Sequence, residues 1–159
     1  MADDFMKRDT LDPRSGQQSD GVGYVLEEQV GHLLRRAYQR HTALFQEKIG
    51  DKHLTPLQFA ALIKLRDMDE VSQNQLGRMT AMDAATMQGV IHRLLSRGLI
   101  ERKRDPGDRR RLQLSLSQSG QALVDECAGI GIEISEQTLA PLDTEDRQRF
   151  LDLLSRLSF

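Results

Sequence analysis

The residues of this chain best suited to chemistry are suited to hydrogen bonding and charge rather than to bond making. Thr86, Gln88 and His92 lie in one stretch, Asp83 to Arg97, and each side chain can hydrogen-bond a base edge in a DNA major groove. Ala84, Ala85 and Gly89 are small enough to let a backbone approach a duplex, and Arg93 adds a cation. Shortly after, Arg102, Lys103, Arg104, Arg109, Arg110 and Arg111 crowd together with Asp105 and Asp108 as the only acidic residues between them, in a chain of formal net charge -2. Such a local excess suits phosphate contacts and an arginine placed in the minor groove. Each pattern has a plainer meaning, a solvent-facing helix in one case and a solvated charged turn in the other. It is their succession that points to DNA.

Other chemistries find less support. The four histidines, His32, His41, His53 and His92, have no second ligand at metal-binding spacing, so no metal site is expected. There is no glycine-rich phosphate loop and no Gly-x-Ser-x-Gly, so neither an enzyme nor a cofactor is expected. The single cysteine, Cys127, excludes a disulfide within the chain and suits a reducing cytoplasm; its apolar neighbours suggest a buried thiol. The first 21 residues are polar and lack the apolar centre of a secretory signal. No apolar run is long enough for a bilayer, so no membrane partner is expected. With 159 residues, 38% hydrophobic and 29% charged, the chain has the size and composition of one ordinary soluble domain.

The elements that position these residues are legible from capping and periodicity. Apolar residues from Leu26 to Phe45 recur at helical spacing and predict a long helix from Tyr24 to about Gly50. Thr55-Pro56-Leu57-Gln58 is a capping box with proline at the first helical position. Ser72-Gln73-Asn74-Gln75 repeats the box and starts a short helix through Met79. Asp83 caps a third helix that Gly98 ends. Leu112, Leu114 and Leu116 alternate with polar residues, and Pro106-Gly107 marks a turn, so 99–116 is a β-hairpin. Ser117 caps another helix to about Ala140, Pro141 breaks it, and Asp143 caps the last. The fold class is mainly α with a small β-hairpin wing, a winged helix-turn-helix. Met87, Val90, Ile91, Leu94 and Leu95 are its inward-facing reader residues.

Several of these segments resemble the MarR family. They run from Leu54-Thr55-Pro56 through Ser72-Gln73-Asn74-Gln75-Leu76 and Arg93-Leu94-Leu95-Ser96-Arg97-Gly98-Leu99-Ile100 to Asp105-Pro106-Gly107-Asp108-Arg109-Arg110, and then Leu114-Ser115-Leu116-Ser117-Gln118-Ser119-Gly120. The resemblance covers about Tyr24 to Leu157. It implies a homodimer with interlocked first and last helices, and two readers in successive major grooves of a pseudo-palindromic double-stranded operator. It also implies repression relieved by a small ligand or sometimes by oxidation. Ser72 and Gln73 join the DNA-contacting set, and Arg109 is the expected minor-groove residue. Asp108 and Arg110 either join it or brace the turn through an ion pair. One departure is that family readers often carry a basic residue where this chain has Ala84 and Ala85.

On this reading residues 1–23 are a flexible tail, 24–50 and 118–159 are dimerisation helices, and 51–117 are the DNA-binding region. Phe150, Leu153, Leu154 and Leu157 are the expected dimer contacts, with Val124, Ile130, Ile132, Ile134 and Leu139 adding apolar surface. The segment from Leu26 to His41 is similar to a MarR subgroup associated with aromatic-acid catabolism, which implies an aromatic carboxylate or its coenzyme A thioester as effector. His32, Arg36 and Arg40 recur every four residues and could hold a carboxylate, with Phe59 and Ile63 as an apolar wall. They could equally be packing and surface residues. Two other readings are a redox regulator using Cys127 and an architectural DNA protein without sequence preference.

Overall fold

A computed structural model describes residues 23–104 and 112–158. Most of the expected tail and the wing-tip residues Asp108, Arg109 and Arg110 lie outside the described residues. The elements follow in the order α1 (Val30–Ile49), α2 (Pro56–Met68), β1 (Val71–Ser72), α3 (Gln73–Met79), α4 (Ala84–Ser96), β2 (Ile100–Arg104), β3 (Leu112–Leu116), α5 (Gln118–Thr138) and α6 (Thr144–Leu157).

The helix starts are fixed locally. Thr55 accepts from the Gln58 N–H at 3.2 Å while the Thr55 N–H donates to Gln58 Oε1 at 3.0 Å, which completes the box and satisfies a buried glutamine. Ser72, Asp83, Ser117 and Asp143 each accept from the N–H three residues on. At the other end of α4, Gly98 takes φ +66, a left-handed stop that a side chain would strain. Leu62, Leu65, Leu76, Met87, Ile91, Leu94 and Leu114 fill one core between α2, α3, α4 and the sheet. Phe45 and Ile49 of α1 extend that core to Val124 and Ile134 of α5.

Four expectations need correction. The first helix begins at Val30, not Tyr24, because Gln29 is extended (φ -79, ψ 134) after a short 3-10 turn at Leu26–Glu28. The sheet has three strands rather than two, in the order β1-β3-β2, with Val71 opposite Leu114. A strand of two residues has no alternation to read, and Ser72 both ends it and caps α3. Leu112 does not share the burial of Leu114; it is 45% exposed against 1%, because β3 leaves the core there. Val124 and Ile134 are enclosed by their own chain and are not part of an open face.

That open face lies elsewhere. The N-terminal half of α1 exposes Val30, Leu33, Leu34 and Tyr38, and α6 exposes Phe150, Leu151, Leu153 and Leu157, the last at 73%. Apolar groups gathered on two helices and left in water mark a surface made for a partner.

Candidate nucleic-acid interface and ligand region

The turn between α3 and α4 is tight. Met82 N–H donates to the Gly77 carbonyl at 2.9 Å, and a Cβ at position 77 would lie 3.2 Å from the Met82 carbonyl oxygen. Ala81 bridges the turn at φ +52, a left-handed conformation that costs an alanine about 1 kcal/mol. Asp83 then opens α4. Its carboxylate accepts from the Thr86 N–H at 2.8 Å and from the Thr86 hydroxyl at 2.9 Å, and these bonds hold the Asp83 carboxyl below its ordinary range.

This cap sorts the expected reader residues. Met87, Val90, Ile91 and Leu94 are buried and Leu95 half-buried, so they anchor α4 to the core. Ala84, Ala85, Gln88, His92 and Arg93 are exposed, and Thr86 and Gly89 are half-buried. The Thr86 hydroxyl proton is committed to Asp83, which leaves it only its lone pairs for a base. Ser72 is also engaged, as the cap of α3, while Gln73 lies beside it at the helix start.

Gly89 separates fold from function. The atoms nearest a Cβ there would be those of the Arg93 guanidinium, from 3.5 Å, an ordinary contact. Glycine inside a helix costs roughly 0.5–1 kcal/mol relative to alanine. Gly89→Ala is therefore expected to raise stability by about that amount in denaturant titration. If the gap serves close approach to DNA, the same variant will bind operator more weakly. A variant that gains stability and keeps full affinity removes Gly89 from the interface.

The wing continues the surface. In the β2–β3 ladder Ile100 faces Leu116, Arg102 faces Leu114 and Arg104 faces Leu112. Opposed residues share a face of the sheet, so Arg102 and Arg104 prolong the side that is apolar at Ile100 and Leu114. Lys103 lies on the other side and is paired with Glu101 at 3.2 Å.

The joint between this region and α5 has no local sequence signal. Ser117 and Ser119 both donate to the Gly98 carbonyl, at 2.6 and 2.8 Å, and Ser117 N–H donates to Leu99 O at 3.1 Å. Gly120 packs directly on the Leu99 carbonyl. Arg97 donates to the His53 and Lys52 carbonyls at 2.7 and 2.8 Å, tying the end of α4 to the loop before α2. The sequence shows these residues as a run, but their partners lie up to 45 positions away.

The expected effector residues lie on α1 and α2. His32 is half-buried and Arg36 exposed on α1. Arg40 donates to the Gln137 carbonyl at 3.1 Å, at the C-terminal end of α5, where a cation is favoured. Phe59 packs its ring 5.8 Å from that of Phe45 and closes over Gly131, while Ile63 lies against the core. An apolar cavity of about 420 Å³ opens between α1, α5 and α6, lined by Leu34, Tyr38, His41, Leu139, Phe150 and Leu154 among others. His41 Nδ1 lies 3.1 Å from Thr138 Oγ1 at its edge. Cys127 is fully buried, and burial pushes its thiol up, with Glu126 adding to the shift. Both effects disfavour the reactive thiolate.

Among the described residues no group of His, Cys, Asp and Glu could hold a metal ion, and no helix is long and apolar enough to cross a membrane.

The geometry has counterparts among known proteins. The MarR family model matches residues 54–112. The HTH-type transcriptional repressor NicR of Pseudomonas putida is 44% identical over 138 residues, 87% of each chain. A solved structure of BpsR from Bordetella bronchiseptica, described as regulated in its DNA binding by 6-hydroxynicotinic acid, is 44% identical with a TM-score of 0.81, covering 85% of this chain and 96% of that one. PcaV of Streptomyces coelicolor, solved with its natural ligand, is 30% identical with a TM-score of 0.80, covering 87% and 97%.

Proposed function

This chain belongs to the MarR family of transcriptional regulators and is a repressor, not an enzyme, and from that premise we propose that it binds a pseudo-palindromic operator as a homodimer and leaves it when an aromatic carboxylate binds. The carrying observation for the DNA half is the exposed face of α4, small at Ala84 and Ala85 and polar at Gln88 and His92, beside a wing whose Arg102 and Arg104 lack acidic partners among the described residues. Arg109, at the wing tip, is proposed for the minor groove on the sequence pattern alone. Residues 51–117 are the DNA-binding part of this reading, with 24–50 and 118–159 forming the dimer.

Dimerisation rests on the exposed apolar residues of α1 and α6 and on the cavity continuous with them. Phe150, Leu153, Leu154 and Leu157 are the proposed contacts. Two-fold symmetry places two α4 helices about one helical turn of DNA apart.

The ligand class is supported by the description of BpsR, whose DNA binding 6-hydroxynicotinic acid regulates. A coenzyme A thioester of such an acid is the second form to try. His32, Arg36 and Arg40, with Phe59 and Ile63, remain the proposed ligand residues, and the exposed Arg36 has no ion pair among the described residues. A ligand weakens DNA binding only if it prefers the DNA-free arrangement of the two readers. A shift of a few ångströms in their spacing is sufficient for that.

The test is gel shift and calorimetry with the DNA flanking the gene and a panel of benzoate-, cinnamate- and hydroxynicotinate-like acids and their thioesters. At least one acid is expected to release the operator. Arg36→Ala is expected to need roughly tenfold or more of that acid, the loss of one carboxylate fork, with operator affinity kept. Release by oxidant alone, abolished in Cys127→Ser, overturns the ligand reading in favour of the redox one. Equal binding to operator and random DNA favours the architectural one.

A further inference from the structure

Among the described residues from 64 to 104 the lysines and arginines divide into two groups. Lys64 and Arg66 are paired with Asp67, Lys103 with Glu101, and Arg97 with backbone carbonyls. The guanidinium groups of Arg78, Arg93, Arg102 and Arg104 make no hydrogen bond or ion pair with any described residue. Three of these belong to the reader helix and the wing. Arg78 belongs to neither: it is exposed in the last turn of α3, one turn beyond the exposed Asn74.

Its place is between two clefts. One, of about 400 Å³, lies between α3, the turn and the start of α4, with Gln73, Asn74, Ala81 and Ala84 on its walls. The other, of about 680 Å³, lies between α3 and the outer end of β3, with Asn74, Gln75, Leu112 and Gln113. Arg78 borders both. If α4 occupies a major groove and the wing the neighbouring minor groove, the sugar–phosphate ridge dividing the grooves must pass between them. That is the side of the molecule on which Arg78 stands.

Resting on the repressor reading, we propose that Arg78 is a phosphate-binding residue: its guanidinium grips the backbone ridge between the reader's groove and the wing's groove, with Asn74 one turn away as a second donor. The fork of a guanidinium matches two phosphate oxygens. The contact carries no base information; it fixes register and orientation. The same arginine also sits where a helix C-terminus favours a cation, and a purely helix-stabilising role predicts a different result.

The experiment compares wild type, Arg78→Gln and Arg78→Lys on operator and random DNA between ~50 and ~300 mM salt, with thermal midpoints of each protein. Arg78→Gln is expected to weaken both DNAs by the same factor, about 10- to 50-fold near 0.1 M salt for a dimer that loses two contacts, and to lower the salt slope by about two. Arg78→Lys is expected to retain the slope, because its charge remains. The thermal midpoint is expected to stay at the wild-type value. An unchanged slope in Arg78→Gln overturns the proposal, as does a loss confined to operator DNA or one that follows a lowered midpoint. A wild type that binds neither DNA overturns the repressor reading itself, an outcome distinct from the failure of Arg78 alone.

Discussion

Leu153→Asp will yield a chain that is folded, monomeric and close to inert toward its operator. Leu153 is 47% exposed on α6 in the single chain, so a carboxylate there remains hydrated and costs the protomer little. In the proposed two-fold dimer the same position is covered in both protomers. Burying an unpaired charge in an apolar contact costs on the order of 3–5 kcal/mol per site, enough to dissociate an ordinary dimer at micromolar concentration. A monomer then reaches only one half-site and loses the avidity of the pair, about 100-fold or more. Leu154 is a less clean choice, because it lines the cavity against Leu34 and Tyr38 of its own chain. Sedimentation velocity and gel shift on the same preparations decide the matter. A wild-type monomer, or a Leu153→Asp dimer with full affinity, would falsify the dimer assignment.

Gly120→Ala is the second change with a large expected effect. A methyl group at position 120 overlaps the Leu99 carbonyl oxygen and comes within 2.9 Å of its carbon. Both are backbone atoms, so no rotamer relieves the clash, and α5 must move off the start of β2. The neighbouring bonds from Ser117 and Ser119 to Gly98, and from Ser117 to Leu99, would be strained with it. Overpacking of this kind costs about 3 kcal/mol or more. At roughly 2–4 °C per kcal/mol for a chain of this size, the thermal midpoint falls by about 6–12 °C. Gly129, whose Cβ direction is open, serves as the control; Gly129→Ala leaves the midpoint unchanged or higher. A Gly120→Ala protein that melts with wild type would show that the α5 joint is looser than its contacts imply.

Much of this architecture could be read in the chain because its signals are local. The caps at Thr55, Ser72, Asp83, Ser117 and Asp143 are each set within four residues, and all five head the helices expected of them. The inward set of α4 follows from the helical period, and the hairpin from alternation around a turn. The effector set was harder. Spacing of four along α1 placed His32, Arg36 and Arg40 on one side, but periodicity says nothing about what that side meets. Arg40 meets carbonyls 97 and 98 positions away. Arg78 gives no local signal for the opposite reason: in sequence one arginine in a short polar helix is indistinguishable from solvent-facing charge, and only the clefts beside it set it apart.

Residue order alone is enough for the helices, the two faces of α4, the cations of β2 and the presence of more apolar surface than one small domain encloses. Those properties depend on residue type and on spacing within one or two turns. Which apolar residues are the core and which stay open, Val124 and Ile134 against Leu153 and Leu157, follows from packing between distant segments. Packing also makes a two-residue strand complete the sheet, and it requires glycine at position 120 because a carbonyl 21 residues earlier lies against it. These are facts about proximity between distant segments, and proximity is set by how whole elements pack, which no local period records.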